Sequence, residues 1–143
     1  VGAVRDWLEA NSSADQFEFV YDTSNVTHAQ SLARMADTDI YIESHATDIG
    51  EWGVTALEAA ALGKVVVTVF RSAERYQQEF GPCPIVVAND AVELKDQILS
   101  LVRSHRNRLR NLQKRTRAWV EQYHSYDNVG RRLLKIFSPV LGA

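Results

Sequence analysis

Hydrophobic residues along the chain alternate between short runs typical of strands and spaced stripes typical of helices. Strands are predicted over residues 17–21, 39–44, 64–70 and 85–88, each bounded by polar or turn-forming residues. Residues 64–70, Lys-Val-Val-Val-Thr-Val-Phe, form a nearly continuous β-branched run, as a strand buried on both faces requires. Strands that alternate with helices predict an α/β fold, with a parallel sheet flanked by helices.

Apolar residues three and four positions apart predict the helices between these strands. We expect short helices over residues 1–10 and 28–35, and a helix over residues 54–62, which are rich in strong helix formers. Gly63 is expected to end that helix. Residues 71–80 are a polar connection with room for one or two helical turns.

The chain beyond the last strand is predicted to be helical over about residues 91–137. The hydrophobic stripe breaks near Ser104, and His105 falls within the stripe, which favours a structural role for this histidine. Ser125 is placed to cap the last helix, and Pro139 is expected to end it.

Length and composition limit the class of protein. The 143 residues correspond to about one domain, and 45% hydrophobic with 24% charged residues is ordinary for a globular protein. The single cysteine, Cys83, excludes an internal disulfide and fits a buried thiol in a reducing compartment. No apolar run reaches the roughly 18 residues of a membrane span, and the first residues have neither the basic region that opens a signal peptide nor an initiator Met. We therefore expect a soluble, cytoplasmic piece of a longer protein.

The formal charge of −2 conceals a strong division along the chain. Residues 1–100 hold six basic and sixteen acidic side chains, whereas residues 101–143 hold ten basic and two acidic ones. Such a basic segment indicates either a surface for nucleic acid, membrane or phosphate, or one solvated helix. Trp119 and Tyr123 follow the hydrophobic stripe instead of forming an exposed stacking surface, so we expect no nucleic-acid partner. Most cations occupy the other helix faces: Arg106, Arg108, Arg110, Lys114, Arg115 and Arg117.

Ligands of open α/β sheets bind beyond the carboxyl ends of the strands, which directs attention to the segments after Ser44, Phe70 and Ala88. The segment after Ser44 runs through Gly50 and Gly53 directly into a helix, where backbone amides form an anion site and glycines permit close approach. The spacing alone favours an ordinary strand-to-helix turn over a phosphate site, because the three-glycine dinucleotide fingerprint is absent.

Glu58 is a lone carboxylate in the Ala- and Leu-rich helix that follows. Such a side chain either faces solvent, which the spacing favours, or meets a ligand hydroxyl. His28 and His124 have no sequence neighbours that suggest catalysis. Three polar residues of the preceding loop suggest acid–base chemistry or a metal site, but their spacing is not that of metal ligands and we expect no metal: His45, Asp48 and Glu51.

The chain from residue 39 to residue 137 resembles the C-terminal half of GT-B-fold glycosyltransferases of family 4, the group 1 class. The densest match is residues 51–68, which are similar to the family's Gly-rich turn, Leu-Glu-Ala helix and following Pro-Val-Val strand. Here they read Glu-Trp-Gly-Val-Thr-Ala-Leu-Glu-Ala-Ala-Ala-Leu-Gly-Lys-Val-Val-Val-Thr. Ser44 matches a serine that closes the preceding strand, and residues 123–126 resemble the aromatic link into the last helix.

The resemblance implies a Rossmann-like lobe that holds a nucleotide-sugar, as the donor-binding half of a retaining glycosyltransferase of hexosyltransferase type. Glu58 would accept hydrogen bonds from the ribose hydroxyls, and the amides of Gly53, Val54 and Thr55 would face the diphosphate, with Ser44 as a further substrate-binding position. The donor is itself a substrate, so no separate cofactor is implied. An N-terminal lobe outside this chain would bind the acceptor, and the chain without it is expected to be inactive.

The sequence departs from the family pattern in three places. The family's first glutamate would fall at Gly50, whereas Glu51 lies one position later and becomes the candidate donor-sugar contact. The Arg and Lys pair that neutralises the diphosphate has no counterpart before Phe17. By resemblance, residues 17–21 and 39–44 are the third and fourth strands, so residues 1–143 form one partial domain that lacks the first two strands. Either the upstream chain was removed, or the strands pair differently, for example with another copy of the chain.

These departures permit an alternative function. The chain would then be a non-catalytic nucleotide- or protein-binding module that keeps the glycosyltransferase-like fold. The displaced glutamate and the absent cations permit this alternative. Dependence of an enzyme activity on Glu58 would distinguish the two functions.

Overall fold

The computed structural model describes residues 2–11, 17–21, 23–43 and 50–141, and within them a three-stranded parallel sheet lies among seven helices. The strands are β1 (Ile40–Ile42), β2 (Val65–Thr68) and β3 (Val86–Val87), and they are ordered β1-β2-β3. Ile40 pairs with Val65, and Val67 pairs with Val86. The predicted α/β class, with a parallel sheet flanked by helices, is therefore confirmed and is consistent with a Rossmann-like fold.

The helices follow the predicted hydrophobic stripes closely. They are α1 (Gly2–Asn11), α2 (His28–Ala36), α3 (Val54–Ala61), α4 (Ala73–Phe80), α5 (Ala91–Val102), α6 (Arg106–His124) and α7 (Tyr126–Leu141). Gly63, with φ of +72°, follows the end of α3 as predicted, and the break near Ser104 separates α5 from α6. In the described part of the chain, no helix is both long and apolar enough to cross a membrane.

Strand β2 is buried on both faces, as its β-branched sequence predicts. Val65 and Val67 point to one face of the sheet, where they pack in a core with α1 and α5. Val66 points to the other face and packs in a second core with α2, α3 and α6. Alternate side chains of a strand point to opposite faces, so a strand placed between two helix layers needs apolar residues at every position.

The predicted strand over residues 17–21 is wrong. Only a single bridge at Phe17 is present there, and the segment is not part of the sheet. Phe17 and Phe19 instead pack against the core shared by α1 and α5, while Val20 and Tyr21 are exposed. The alternation of apolar and polar residues in this segment therefore places two aromatic side chains on one core, and it does not indicate a hydrogen-bonded strand.

Two predictions about the C-terminal helices are also wrong. His105 is exposed in the break before α6, where its side chain makes no capping hydrogen bond, so it is outside the hydrophobic stripe. Pro139 does not end the last helix, because α7 continues to Leu141. Proline cannot donate to the carbonyl of Lys135 four residues earlier. The Ser138 hydroxyl donates to that carbonyl at 3.2 Å, which satisfies the acceptor and lets the helix continue.

Candidate functional site

The candidate site lies where the carboxyl end of the sheet meets the start of α3, the location that the topology predicts for a ligand. Glu43 directly follows β1, and its amide donates to the carbonyl of Val67 at 3.0 Å. Its side chain is buried, with a relative exposure of 7% for the residue. The sequence reasoning missed this residue, although an acidic residue at the end of a buried strand is an available signal.

The Glu43 carboxylate occupies the N-terminal end of α3. Its oxygens accept hydrogen bonds from the amide of Gly53 at 3.0 and 3.1 Å and from the amide of Ala56 at 3.2 Å. They also accept from the hydroxyls of Thr55 at 2.9 Å and Thr68 at 2.8 Å. A negative charge at this position interacts favourably with the helix dipole. The amide of Gly53 is therefore already bound by an internal anion.

Glycine at position 53 is required by the close approach of Glu43. A Cβ atom added to Gly53 would lie 2.9 Å from Oε1 of Glu43, closer than side chains normally tolerate. The backbone of Gly53 has φ of −105°, so its conformation is open to any residue. Gly50 differs, because its φ of +68° favours glycine and its added Cβ would meet Arg71 at 2.7 Å.

Glu58 lies on α3 with His28 of α2 beside it. Oε1 of Glu58 and Nε2 of His28 are 2.7 Å apart, and the two side chains are 25% and 69% exposed. Thr27 caps α2 in a capping box with Gln30, which fixes the first turn of the helix that carries His28. Sequence spacing suggests no partner for either residue, whereas in the structure the two side chains form a partly exposed pair.

Val54 and Thr55 are the first two residues of α3. Both residues are exposed, and Val54 lies four positions before Glu58 on the same helix face. Among the described residues, the backbone amides of Val54 and Thr55 donate no hydrogen bond. These two amides keep the donor capacity that the resemblance assigns to them, whereas the amide of Gly53 does not.

The remaining predicted site residues either contact another segment or fall outside the described residues. Glu51 is exposed and accepts a hydrogen bond from the Ser72 hydroxyl just before α4. Ser44, His45 and Asp48 fall outside the described residues. Within the ranges that the structure describes, no three His, Cys, Asp or Glu side chains are grouped as metal ligands.

An aromatic cluster holds the segment before α3 against α4 and α6. It consists of Trp52, Phe70, Tyr76, Phe80, Trp119, Tyr123 and His124. The hydroxyl of Tyr76 and Nε2 of His124 are 2.7 Å apart. Burial raises the pKa of Tyr76, and burial together with the nearby Arg132 lowers the pKa of His124. A neutral imidazole that accepts from the phenol is therefore the favoured state. Sequence reasoning did not predict this contact between Tyr76 and His124.

Comparison of the chain with protein-family models, with curated proteins and with solved structures gives no match. The resemblance to family 4 glycosyltransferases therefore rests on the sequence motif of residues 51–68. The geometry of the α3 start is the independent basis on which a function can be proposed.

Proposed function

We propose that this chain binds the nucleoside diphosphate of a sugar donor and acts as the donor half of a retaining glycosyltransferase of hexosyltransferase type. The observation that carries the proposal is the partly exposed Glu58 beside His28, one turn inside a helix that begins at the carboxyl end of the sheet. The motif of residues 51–68 supports the same assignment.

The residues at this edge suit the parts of a nucleoside diphosphate. A carboxylate accepts hydrogen bonds from two adjacent ribose hydroxyls, which is the role proposed for Glu58. The amides of Val54 and Thr55, at the positive end of α3, suit phosphate oxygens. Arg71 lies against Gly50, three residues before Gly53, and is the cation proposed to compensate the charge of the diphosphate.

Glu43 constrains how the diphosphate would bind. Its carboxylate already accepts from the amides of Gly53 and Ala56, and two anions in one place repel each other. The diphosphate is therefore proposed to contact the outer amides of Val54 and Thr55, with compensation of its charge by Arg71. This arrangement differs from one in which the amide of Gly53 binds the ligand directly.

Isothermal titration calorimetry with UDP, GDP and ADP tests the proposal. We expect one of the three nucleotides to bind and Glu58→Ala to weaken that binding by about tenfold or more, since a charged hydrogen bond contributes about 1.5–3 kcal/mol. Glu121→Ala is the matched control, because Glu121 pairs with Arg117 on the exposed surface of α6. Absence of binding by all three nucleotides, or equal effects of the two variants, would contradict the proposal.

The second candidate function is a non-catalytic module with the same fold. The observation that favours it is the internal carboxylate of Glu43 at the start of α3, where an external phosphate would otherwise bind. As a protein-binding module this candidate predicts no heat of binding with any of the three nucleotides, and as a nucleotide-binding module it predicts binding without sugar transfer. Sugar transfer by a protein that contains this chain together with an acceptor lobe, and loss of that transfer in Glu58→Ala, would exclude it.

A further inference from the structure

A cavity of about 320 Å³ lies between α6 and α7. Gln122 and Tyr123 of α6 form one wall, and four side chains of α7 form the other: Asn128, Arg131, Arg132 and Lys135. Residues three and four positions apart lie on the same face of a helix, so these four side chains form one row along α7. The cavity is therefore a groove in which a polar face of α7 meets the end of α6.

The groove carries an excess of positive charge. Three of its lining residues are basic and none is acidic. Among the described residues, Arg131, Arg132 and Lys135 form no ion pair, whereas Arg117 of α6 pairs with Glu121 on the same helix. Positive charges that lie close together repel each other, and a bound anion relieves that repulsion.

Two guanidinium groups of the groove are oriented by neutral acceptors. Arg132 donates to the carbonyl of Tyr123 at 2.8 Å, and its guanidinium lies 4.6 Å from the centre of the Phe80 ring. Arg131 donates to the side-chain oxygen of Asn128 at 2.9 Å. These contacts hold both groups without neutralising their charge. A guanidinium has more N–H donors than these contacts use, so both side chains keep donors for an external anion.

The charges of the groove match a phosphate group better than a carboxylate. Lys135 is exposed one turn beyond Arg131, and it adds a third positive charge on the same face of α7. A phosphate monoester carries a charge of about −1.5 to −2 at neutral pH and three strong acceptor oxygens. A carboxylate offers one negative charge and two oxygens. Arginine and lysine are also the side chains that proteins use for phosphate recognition.

The size and shape of the groove favour a small organic ligand. Its volume of about 320 Å³ is at the lower end of the roughly 300–1,000 Å³ of small-molecule sites, which leaves room for an organic group beside the phosphate. The hydrocarbon stems of Arg131 and Lys135 supply apolar surface for that group. A groove between two helices of one domain admits a small molecule more readily than the flat surface of a bilayer.

We propose that the groove between α6 and α7 binds a small organic phosphomonoester. Arg131, Arg132 and Lys135 hold the phosphate oxygens through charged hydrogen bonds. Gln122 and Asn128 line the groove beside them and offer neutral polar contacts to the organic group. The site is built from α6 and α7 alone, so it does not depend on the function proposed for Glu58 at the start of α3.

Isothermal titration calorimetry of the full chain with phenyl phosphate tests this proposal. We expect phenyl phosphate to bind more tightly than inorganic phosphate, which lacks an organic group. We also expect it to bind about tenfold or more tightly than benzoate, which has the same ring but a single negative charge.

Substitutions locate the site. Arg131→Gln and Lys135→Gln are each expected to weaken the binding of phenyl phosphate by about tenfold or more, because each removes a charged hydrogen bond. Arg115→Gln is the matched control, since it removes the same charge from an exposed position of α6 that does not line the groove. We expect this control to bind like the parent chain.

Several results would overturn the proposal. Absence of binding by phenyl phosphate is the first, and binding of a phosphoserine peptide in that case would assign the groove to a phosphorylated protein. Equal affinities for phenyl phosphate and benzoate would exclude a phosphate site, and equal affinities for phenyl phosphate and inorganic phosphate would exclude the organic group. Equal weakening in Arg115→Gln and Arg131→Gln would indicate general attraction by the charge of the chain.

Binding that neither Arg131→Gln nor Lys135→Gln changes would place the phosphate outside the groove and would also overturn the proposal. Circular dichroism of each variant verifies the fold. Among the described residues, the ammonium of Lys135 forms no hydrogen bond or ion pair, so Lys135→Gln keeps the test valid if Arg131→Gln disturbs the helix.

Discussion

The carboxylate of Glu43 lies against the backbone of Gly53, whose amide donates to both carboxylate oxygens at 3.0 and 3.1 Å. The contact joins the carboxyl end of β1 to the start of α3 across a ten-residue separation in sequence. An internal anion thus satisfies donors that the first turn of a helix otherwise leaves to water or to a ligand. Glu43 therefore stabilises the fold and also occupies an amide that a ligand would otherwise bind.

Removal of the Glu43 carboxylate should destabilise the fold. Glu43→Ala leaves the amides of Gly53 and Ala56 and two threonine hydroxyls without their acceptor, so we expect a loss of about 2–4 kcal/mol in the free energy of unfolding. Urea denaturation measures the loss. Glu51→Ala is the control, since Glu51 is exposed and accepts from Ser72, and a change within about 0.5 kcal/mol is expected there. Equal losses would contradict the role of Glu43.

Substitution of Gly53 should act through the same carboxylate. In Gly53→Ala the added Cβ lies 2.9 Å from Oε1 of Glu43 and forces the acceptor away, so we expect a destabilisation of about 1–3 kcal/mol. Gly130→Ala is the matched control, because nothing lies within 4 Å of its added Cβ and Gly130 is inside α7. The control should be stabilised by about 0.5–1 kcal/mol through helix propensity. Thermal unfolding of both variants measures these opposite changes in stability, and equal changes would contradict the role of Gly53.

The aromatic cluster should make stability dependent on pH below neutrality. Burial lowers the pKa of His124 in the folded chain, and the charge of Arg132 acts in the same direction. In the unfolded chain histidine titrates near its ordinary value of about 6.5. As the pH falls below that value, the unfolded state therefore takes up a proton that the folded state does not, and stability decreases until the lower folded pKa is reached.

Urea unfolding between about pH 7.5 and about pH 5.5 tests this dependence. His124→Gln keeps a polar side chain beside Tyr76 but removes the titration, so its stability should vary less with pH than that of the parent chain. Other ionisable groups are the same in both proteins, so the difference between the two slopes reports His124. Identical slopes would refute the assignment.

The thiol of Cys83 should be poorly reactive in the folded chain. Burial raises its pKa, which reduces the fraction of the reactive thiolate, although a hydrogen bond from the backbone of Ile85 acts in the opposite direction. We expect slow alkylation by iodoacetamide in buffer and fast alkylation in concentrated urea, measured by mass spectrometry. A cysteine placed at exposed Ser100 in a Cys83→Ser background provides the control and should react rapidly in both conditions. Fast alkylation of folded Cys83 would contradict the prediction.

Local sequence patterns predicted most of the helices and strands. In these cases the cause of the structure lies within the element itself or recurs at every position along it. The run over residues 64–70 reads as a buried strand whichever helices cover it, and Gly63 ends α3 through its own backbone conformation. Local patterns failed where one contact changed the outcome. Residues 17–21 alternate like a strand but are not part of the sheet. The Ser138 hydroxyl donates to the carbonyl that Pro139 leaves without a donor, so α7 continues past the proline.

The sequence by itself determined the α/β class of fold and the two-faced burial of β2. Only the tertiary structure decided which side chains meet at the carboxyl end of the sheet. Glu43 reaches Thr68 across 25 positions, and His28 reaches Glu58 across 30. It also decided that Leu134, Ile136 and Val140 of α7 are exposed. Periodicity reports how residues are arranged along one helix or strand, whereas the packing of several elements together sets these contacts and orientations.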